Sequence, residues 1–175
     1  MELLEATLRG PEGEVMRASA WRLQAGRVDL EAADEAPPVP AEGAERDFFA
    51  TGQDVGYHTA MEYRFLRGGF LEPGPATVWM RSRVPLVAGE APSALDRVLV
   101  AADSGNGVSA ALDHRRFLFI NTDLSVHLLR MPVGEWVCLE ATTYVDGVGL
   151  ADTVLWDERG RIGRAAQTLL VRARS

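Results

Sequence analysis

Three polar side chains stand in segments where apolar residues would pack better. Asp103 follows a predicted helix, Asn121 lies early in the next predicted strand, and Gln167 lies in the last one. A carboxylate beside two carboxamides can orient a water molecule and accept a proton from it. The pattern therefore favours water attack on a bound acyl group.

Asp103 is the candidate general base. The helix macrodipole disfavours negative charge at a C-terminal end, so a helix selected for stability alone would carry Lys or Arg there. The run from Asp103 to Gly107 has the sequence Asp-Ser-Gly-Asn-Gly, which is also typical of a turn that ends the helix. The sequence leaves both interpretations of Asp103 open.

The two amides are also open to more than one interpretation. Gln167 alternates with small and apolar residues on one strand face, and a buried amide without partners costs roughly 1–3 kcal/mol. It is therefore satisfied within the protein, or it holds a ligand or a water molecule. Asn121 shares a face with Asp123, Ser125 and His127, and this face is either solvated or borders a cleft.

The pattern of apolar residues predicts an α+β fold. A helix is predicted over residues 92–102, with Leu95, Val98, Leu99 and Ala102 in one stripe, and we expect the first three to be buried against a sheet. Alternation predicts strands over residues 2–9, 14–24, 59–67, 76–83, 117–130, 135–144, 148–156 and 162–172. The expected architecture is a mainly antiparallel sheet wrapped around one central helix, with an N-terminal β-hairpin.

Composition excludes several functions. The net charge is −7 and all 18 basic residues are Arg, which disfavours non-specific nucleic-acid binding. No apolar run approaches the ~18 residues of a membrane span, so we expect no membrane partner and a cytoplasmic location. The single Cys138 excludes an intramolecular disulfide, and the three His residues lack metal-ligand spacing. No metal or other cofactor is expected.

Four segments together resemble a known family. They are MEYRFLRG (61–68), VLVAAD (98–103), INTDLSVHLLRMPVGEW (120–136) and GRAAQTLLVR (163–172). They resemble the second half of acyl-CoA thioesterase II-like proteins, which carry two hotdog domains in one chain. The resemblance implies a hotdog fold and hydrolysis of acyl-CoA thioesters in fatty acid metabolism. By position, Asp103, Asn121 and Gln167 would hold the attacking water, with Asn121 where the best-known members have Thr.

The resemblance also implies a domain organisation. Residues 1–30 would be a hairpin left from a first hotdog, 31–47 an acidic linker rich in Pro and Ala, and 48–175 the thioesterase-like hotdog. The family binds acyl-CoA between two hotdogs, and this chain begins after the central helix of the first. The resemblance thus leaves two alternatives, a truncated product or a short form that rebuilds the pair by self-association, and a homodimer or a higher homo-oligomer is expected.

Coenzyme A would bring phosphate groups to the site. The guanidinium fork matches phosphate geometry, so Arg81, Arg83 and Arg130 are the candidate contacts, with Arg115 and Arg116 as further ones.

Two other functions remain open. The chain could be a non-catalytic acyl-thioester-binding or assembly module, since Asn replaces Thr and half of the family's scaffold is missing. A hotdog hydratase would need a His five residues after the Asp, where this chain has Val108. The hydratase is therefore the least favoured function.

Overall fold

The computed structural model describes residues 1–24, 26, 37 and 39–174. The chain divides into two compact units, Met1–Ala33 and Asp34–Ser175. Most of the N-terminal half of the predicted linker, residues 31–36 and 38, lies outside the described residues.

The first unit contains an antiparallel hairpin of β1 (Glu2–Gly10) and β2 (Gly13–Arg22). Leu4 pairs with Ala20, Ala6 with Ala18 and Leu8 with Met16. Because paired residues lie on the same side of a sheet, these six side chains form one apolar face. The larger ones, Leu4, Leu8 and Met16, are exposed.

The second unit contains one antiparallel sheet of seven strands. The strands are β3 (Met61–Gly69), β4 (Glu72–Ser82), β5 (Phe117–Asn121), β6 (Ser125–Leu128), β7 (Val137–Asp146), β8 (Val148–Asp157) and β9 (Gly160–Ala173). Their order in the sheet is β3-β4-β7-β8-β9-β5, and β6 also pairs with β9. Asp146 and Gly147 turn the chain from β7 into β8, with Gly147 in the left-handed region at φ 79°.

The described part of the second unit also contains three helices. They are α1 (Tyr57–Ala60), α2 (Ala94–Ala102) and α3 (Gly105–Val108), and a 3-10 turn covers Pro40–Glu42. A capping box starts α2, because the Ser93 hydroxyl accepts from the Asp96 N–H and the Asp96 carboxylate accepts from the Ser93 N–H. Both α2 and α3 pack on the central strands β4 and β7.

The predicted buried stripe of the helix is only partly right. Val98 and Ala102 are buried, but Leu95 and Leu99 remain 39% and 42% exposed. Ala101 takes their place against the sheet. The helix packs on the strands through Val98 and the small side chains of Ala101 and Ala102. Leu95 and Leu99 therefore lie at the border of the interface between the helix and the sheet.

The predicted strand over residues 117–130 is interrupted. Thr122 donates its N–H and its hydroxyl to the Thr168 carbonyl, and the Asp123 carboxylate accepts from the Thr168 N–H. These bonds bend the chain between β5 and β6, so residues 117–130 do not form one continuous strand. Ile120 is 51% exposed, whereas Leu124 packs on the core.

The C-terminal part of the predicted linker contacts the sheet. Ala44 and Phe65 exchange two backbone hydrogen bonds of 2.9 and 2.8 Å. Residues near Ala44 therefore cover part of the outer edge of β3.

The longest described helix, α2 with nine residues, falls far short of the ~20 residues that a membrane-spanning helix needs.

Candidate active site

Asp103 occupies the junction between two helices. It is the C-cap of α2, which ends at Ala102 as the sequence predicted, and the residues that end it continue into a second helical turn, α3, from Gly105. The Asp103 side chain is exposed at this corner. The junction fixes the backbone of the candidate base from both sides.

Two amides from different strands bind one oxygen of this carboxylate. Asn121 Nδ2 at the end of β5 donates to Asp103 Oδ1 at 3.0 Å, and Gln167 Nε2 in β9 donates to the same atom at 3.3 Å. The structure thus brings together all three residues that the sequence singled out. Asp103 Oδ2 makes no hydrogen bond to a residue that the structure describes.

Gln167 joins β9 to the helical corner. Its side chain is 1% exposed, and Nε2 also donates to the main-chain oxygen of Asp103 at 3.0 Å. Its Oε1 accepts the N–H of Asn106 at 3.0 Å. This buried amide is therefore satisfied at both ends, and its contacts are with protein groups.

Gly105 makes the close approach of β9 to the corner possible. A Cβ at this position would lie 2.6 Å from Thr153 Oγ1 and 3.2 Å from Gln167 Oε1. Real Cβ atoms essentially never approach another heavy atom to within 3.0 Å, so a larger residue would push α3 away from β8 and β9.

A tyrosine supports the corner from its other side. The Tyr57 hydroxyl donates to the Val100 carbonyl at 2.8 Å and lies 2.8 Å from Ser104 Oγ. Because the carbonyl can only accept, the Ser104 hydroxyl is the donor to Tyr57. Desolvation raises the pKa of Tyr57 to about 12, the Ser104 hydrogen bond opposes this shift, and the Asp103 charge adds to it. Tyr57 therefore keeps its proton at neutral pH.

A cavity of about 250 Å³ opens beside Asp103. Its wall is largely aromatic, with Phe48, Phe49, Tyr57, Tyr63 and Phe70. Its polar boundary is the helical corner, where Asp103, Ser104 and Asn106 line the same space. The carboxylate therefore borders a recess that can receive an apolar group.

The three predicted phosphate contacts lie in different surroundings. Arg130 donates to both carboxylate oxygens of Asp157 at 2.6 Å. Arg81 pairs with Glu62 at 2.7 Å and with Glu135 at 3.3 Å.

Arg83 is exposed and forms no ion pair with a described residue. Arg83 is thus the most available of the three for an external phosphate.

Sequence reasoning missed several residues of this site. Tyr57, Ser104 and Asn106 have no motif spacing, and Phe48 and Phe49 stand in an irregular segment without periodicity. The dipeptide Phe48-Phe49 is the one usable signal, because two adjacent large rings stand in the segment before β3. Among the described residues, no three His, Cys, Asp or Glu side chains are grouped as a metal would require.

Comparisons with known proteins agree with this architecture. The profile of a family described as the acyl-CoA thioesterase C-terminal domain matches residues 33–171. No curated protein sequence matches the chain significantly.

Several solved structures share the fold. Acyl-CoA thioesterase II TesB2 from Mycobacterium marinum aligns with a TM-score of 0.60 at 18% identity, covering 99% of this chain and 74% of its own. The tesB protein of Mycobacterium avium subsp. paratuberculosis aligns with a TM-score of 0.62 at 14% identity, and the alignment covers 97% of this chain and 65% of that protein. A protein of unknown function with a hotdog fold from Alicyclobacillus acidocaldarius aligns with a TM-score of 0.63 at 16% identity, and the alignment covers 99% of this chain and 67% of that protein.

These likenesses show that the chain has the hotdog fold that the sequence predicted. The chain spans about two thirds to three quarters of the length of these three proteins.

Proposed function

The chain belongs to the acyl-CoA thioesterase C-terminal domain family, and from that premise we propose that it hydrolyses acyl-CoA thioesters with a water molecule activated by Asp103. The observation that carries the proposal is the carboxylate beside an apolar cavity, with one oxygen bound by two amides and the other open. The proposed products are a carboxylic acid and a free thiol.

Asp103 is the proposed general base. Oδ2 accepts a proton from the water while the water oxygen attacks the thioester carbonyl carbon. When the carbon–sulfur bond breaks, the proton passes to the thiolate that leaves. The cavity beside Asp103 would hold the acyl chain, so that the carbonyl carbon lies next to the activated water.

Asn121 and Gln167 would have different roles. Among the described residues, Gln167 Nε2 donates only to Asp103, and Oε1 accepts the Asn106 N–H. We therefore assign Gln167 as a positioning residue that fixes the carboxylate. Asn121 is exposed and donates one N–H to Asp103. Its second N–H can bind the water or the thioester oxygen.

Self-association would complete the site. Asp103 and Asn121 are exposed, although a hydrolytic site works best when bulk water is excluded. The hairpin presents a second reason, because its face of Leu4, Leu8 and Met16 is exposed and a two-stranded hairpin alone is marginally stable in water. We propose that the protein works as a homodimer or a higher homo-oligomer.

Coenzyme A recognition would use the exposed guanidinium of Arg83. Arg81 and Arg130 are engaged with carboxylates, so a phosphate would have to compete with Glu62 or Asp157 for them. The order of importance for coenzyme A binding is therefore expected to be Arg83, then Arg81, then Arg130.

A non-catalytic acyl-thioester-binding module is the second candidate. It is favoured by the exposure of the Asp103 carboxylate and by the two amide donors that already occupy its Oδ1. Such a module would bind acyl-CoA and leave the thioester intact.

One experiment separates the two candidates. Free thiol release is measured from a panel of acyl-CoAs of different chain length, while light scattering records the molecular mass in solution. Catalytic thiol release by an assembly of two or more chains supports the hydrolase. Saturable acyl-CoA binding without thiol release by the same assembly supports the binding module and refutes the hydrolase.

A further inference from the structure

The cavity beside Asp103 is too small for a whole acyl-CoA. Its volume is about 250 Å³, whereas sites for drug-sized ligands span ~300–1,000 Å³. Aromatic rings pack against one another around it, with centroids 4.4 Å apart for Phe48 and Phe70 and 4.8 Å apart for Tyr63 and Phe70. This supported wall fits one compact apolar group rather than a long flexible chain.

Two polar atoms of the residues that line this cavity lack partners. The hydroxyl of Tyr63 and Oδ1 of Asn106 are buried and form no hydrogen bond with any described residue. Both side chains are more than nine-tenths buried, at 8% and 9% exposure. Buried polar groups are nearly always paired, so two unpaired atoms on residues that line one cavity are what a hydrogen-bonding ligand in that cavity would satisfy.

The surroundings of the two atoms determine which of them donates a hydrogen bond to a ligand and which accepts one. Burial, and secondarily the nearby Tyr57, raise the pKa of Tyr63, so its hydroxyl keeps its proton and can donate. Asn106 Nδ2 already donates to the Phe119 carbonyl at 3.3 Å, which fixes the amide so that Oδ1 is the free acceptor. One donor and one acceptor match a hydroxyl group, which both accepts and donates.

We infer that this cavity selects compact acyl groups that carry a hydroxyl, with Tyr63 and Asn106 as the residues that recognise it. The inference rests on the proposed thioesterase function for its substrate, but the recognition itself is a binding property. Aromatic and short aliphatic acyl groups share the required chemistry. The aromatic wall admits both.

Matched substrate pairs test the preference. The value of kcat/KM is compared for (4-hydroxyphenyl)acetyl-CoA against phenylacetyl-CoA, and for 3-hydroxyhexanoyl-CoA against hexanoyl-CoA. A site built to bind a hydroxyl rejects the analogue that lacks it, so in at least one pair the hydroxylated member should be favoured by about tenfold or more. A purely apolar pocket does not favour the hydroxylated member, so hydroxylated-to-unsubstituted ratios of about three or less in both pairs would overturn the inference.

A binding measurement separates this inference from the proposed function. Calorimetry with the four free acids needs no turnover, and the hydroxylated acid of the preferred pair should bind about tenfold more tightly, or 1.4 kcal/mol. Preferential binding without thioester hydrolysis would refute the hydrolase and leave the hydroxyl site standing. Hydrolysis with equal binding of the acids in both pairs would refute the hydroxyl site alone.

Tyr63→Phe is the sharpest variant, because it removes one oxygen atom that has no described partner. The thermal midpoint should stay the same or rise, since no hydrogen bond is lost, while the hydroxyl preference falls to about threefold or less. Tyr144→Phe is the matched control, because Tyr144 lies exposed on β7, 59% accessible, and away from the cavity. An unchanged preference in folded Tyr63→Phe would remove Tyr63 from the recognition.

Asn106→Leu tests the second residue. It loses the acceptor together with the bond to Phe119, so its thermal midpoint is measured alongside the preference. A folded variant that keeps the full hydroxyl preference would exclude Asn106.

Discussion

The Nε2 atom of Gln167 lies 3.0 Å from the main-chain oxygen of Asp103 and 3.3 Å from its Oδ1, although 64 positions separate the two residues. The last strand therefore sets the orientation of the candidate base. Gln167 pairs in register with Ala151 of β8, and a slip of one residue would turn it to the opposite face of the sheet. The register of β8 and β9 is thus a condition for the site.

Asp103→Asn should lower thioesterase turnover by about 10²-fold or more, as loss of a general base does. The substitution keeps the shape of the side chain but removes the negative charge and most of its basicity. Thiol release under saturating acyl-CoA measures the effect. Asp146→Asn is the control, because Asp146 is exposed at the turn between β7 and β8. Undiminished turnover in Asp103→Asn would exclude this residue from the mechanism.

Gly105→Ala should lower turnover because its methyl group would meet Thr153 Oγ1 at 2.6 Å and Gln167 Oε1 at 3.2 Å. Displacing a positioning group by about 1 Å can cost ~10²-fold in rate. Gly107→Ala lies in the same helical turn with nothing within 4 Å of the added methyl, so it controls for the change from Gly to Ala.

A second substitution tests the cause of that loss. Thr153→Ala removes the shorter of the two contacts, so the double variant Gly105→Ala/Thr153→Ala should recover part of the activity. If the double variant and Gly105→Ala have the same thermal stability and the same turnover, displacement of the site by the added methyl group is not the cause of the loss.

Much of the fold could be predicted from local patterns. Alternation of apolar residues locates the strands that frame the sheet, and the spacing of Val98 and Ala102 locates the central helix. The exposure of Leu95 and Leu99 could not be predicted from periodicity. Periodicity shows which residues of the helix are apolar, but it does not show that the face carrying Ala101 packs against the sheet. The bend at Thr122 depends on bonds to Thr168, 46 residues away.

Some residues of the candidate site could be predicted from the sequence and others could not. Gln167 could be singled out from the sequence because an amide interrupts a face of small and apolar residues. Its partner Asn106 could not, because that contact joins a backbone N–H to a side chain 61 residues later. Phe48 stands in irregular chain and Tyr57 begins the single helical turn α1, so no period indicates that their side chains face the cavity.

Asn121→Ala should reduce turnover by about tenfold, because a hydrogen bond to a charged group contributes about 1.5 kcal/mol or more and each 1.36 kcal/mol of barrier is a factor of ten. Asn121→Thr keeps a polar atom on a shorter side chain, so its turnover should lie between those of Asn121→Ala and the unchanged protein. Ser125→Ala is the control, since Ser125 is exposed on the following strand β6. Equal turnover in Asn121→Ala and the unchanged protein would contradict a role for this amide.

Asp157→Asn should destabilise the fold without touching the candidate base. The fully buried carboxylate accepts two bonds of 2.6 Å from Arg130 and the N–H groups of Val133 and Arg159 at 2.9 and 2.8 Å. Removing the buried charge that these groups bind should cost about 1–3 kcal/mol in the free energy of unfolding, because the Arg130 guanidinium, 30% exposed, keeps part of its hydration. Asp152→Asn is the control: its pair with Arg164 is more exposed and should contribute less than about 1 kcal/mol.

The effect of Asp157→Asn should depend on pH. Burial alone would raise the pKa of Asp157, but the bonds from Arg130, Val133 and Arg159 outweigh it and hold that pKa below its usual value. A carboxyl with a depressed folded-state pKa stabilises the protein above its unfolded-state pKa of ~3.9, and this stabilisation is lost as pH falls through the folded value. The difference in unfolding free energy between the unchanged protein and Asp157→Asn should therefore be constant near neutral pH and narrow below about pH 4. Urea unfolding across this range measures it, and a difference that widens in acid would show that the Asp157 carboxylate does not provide the stabilisation.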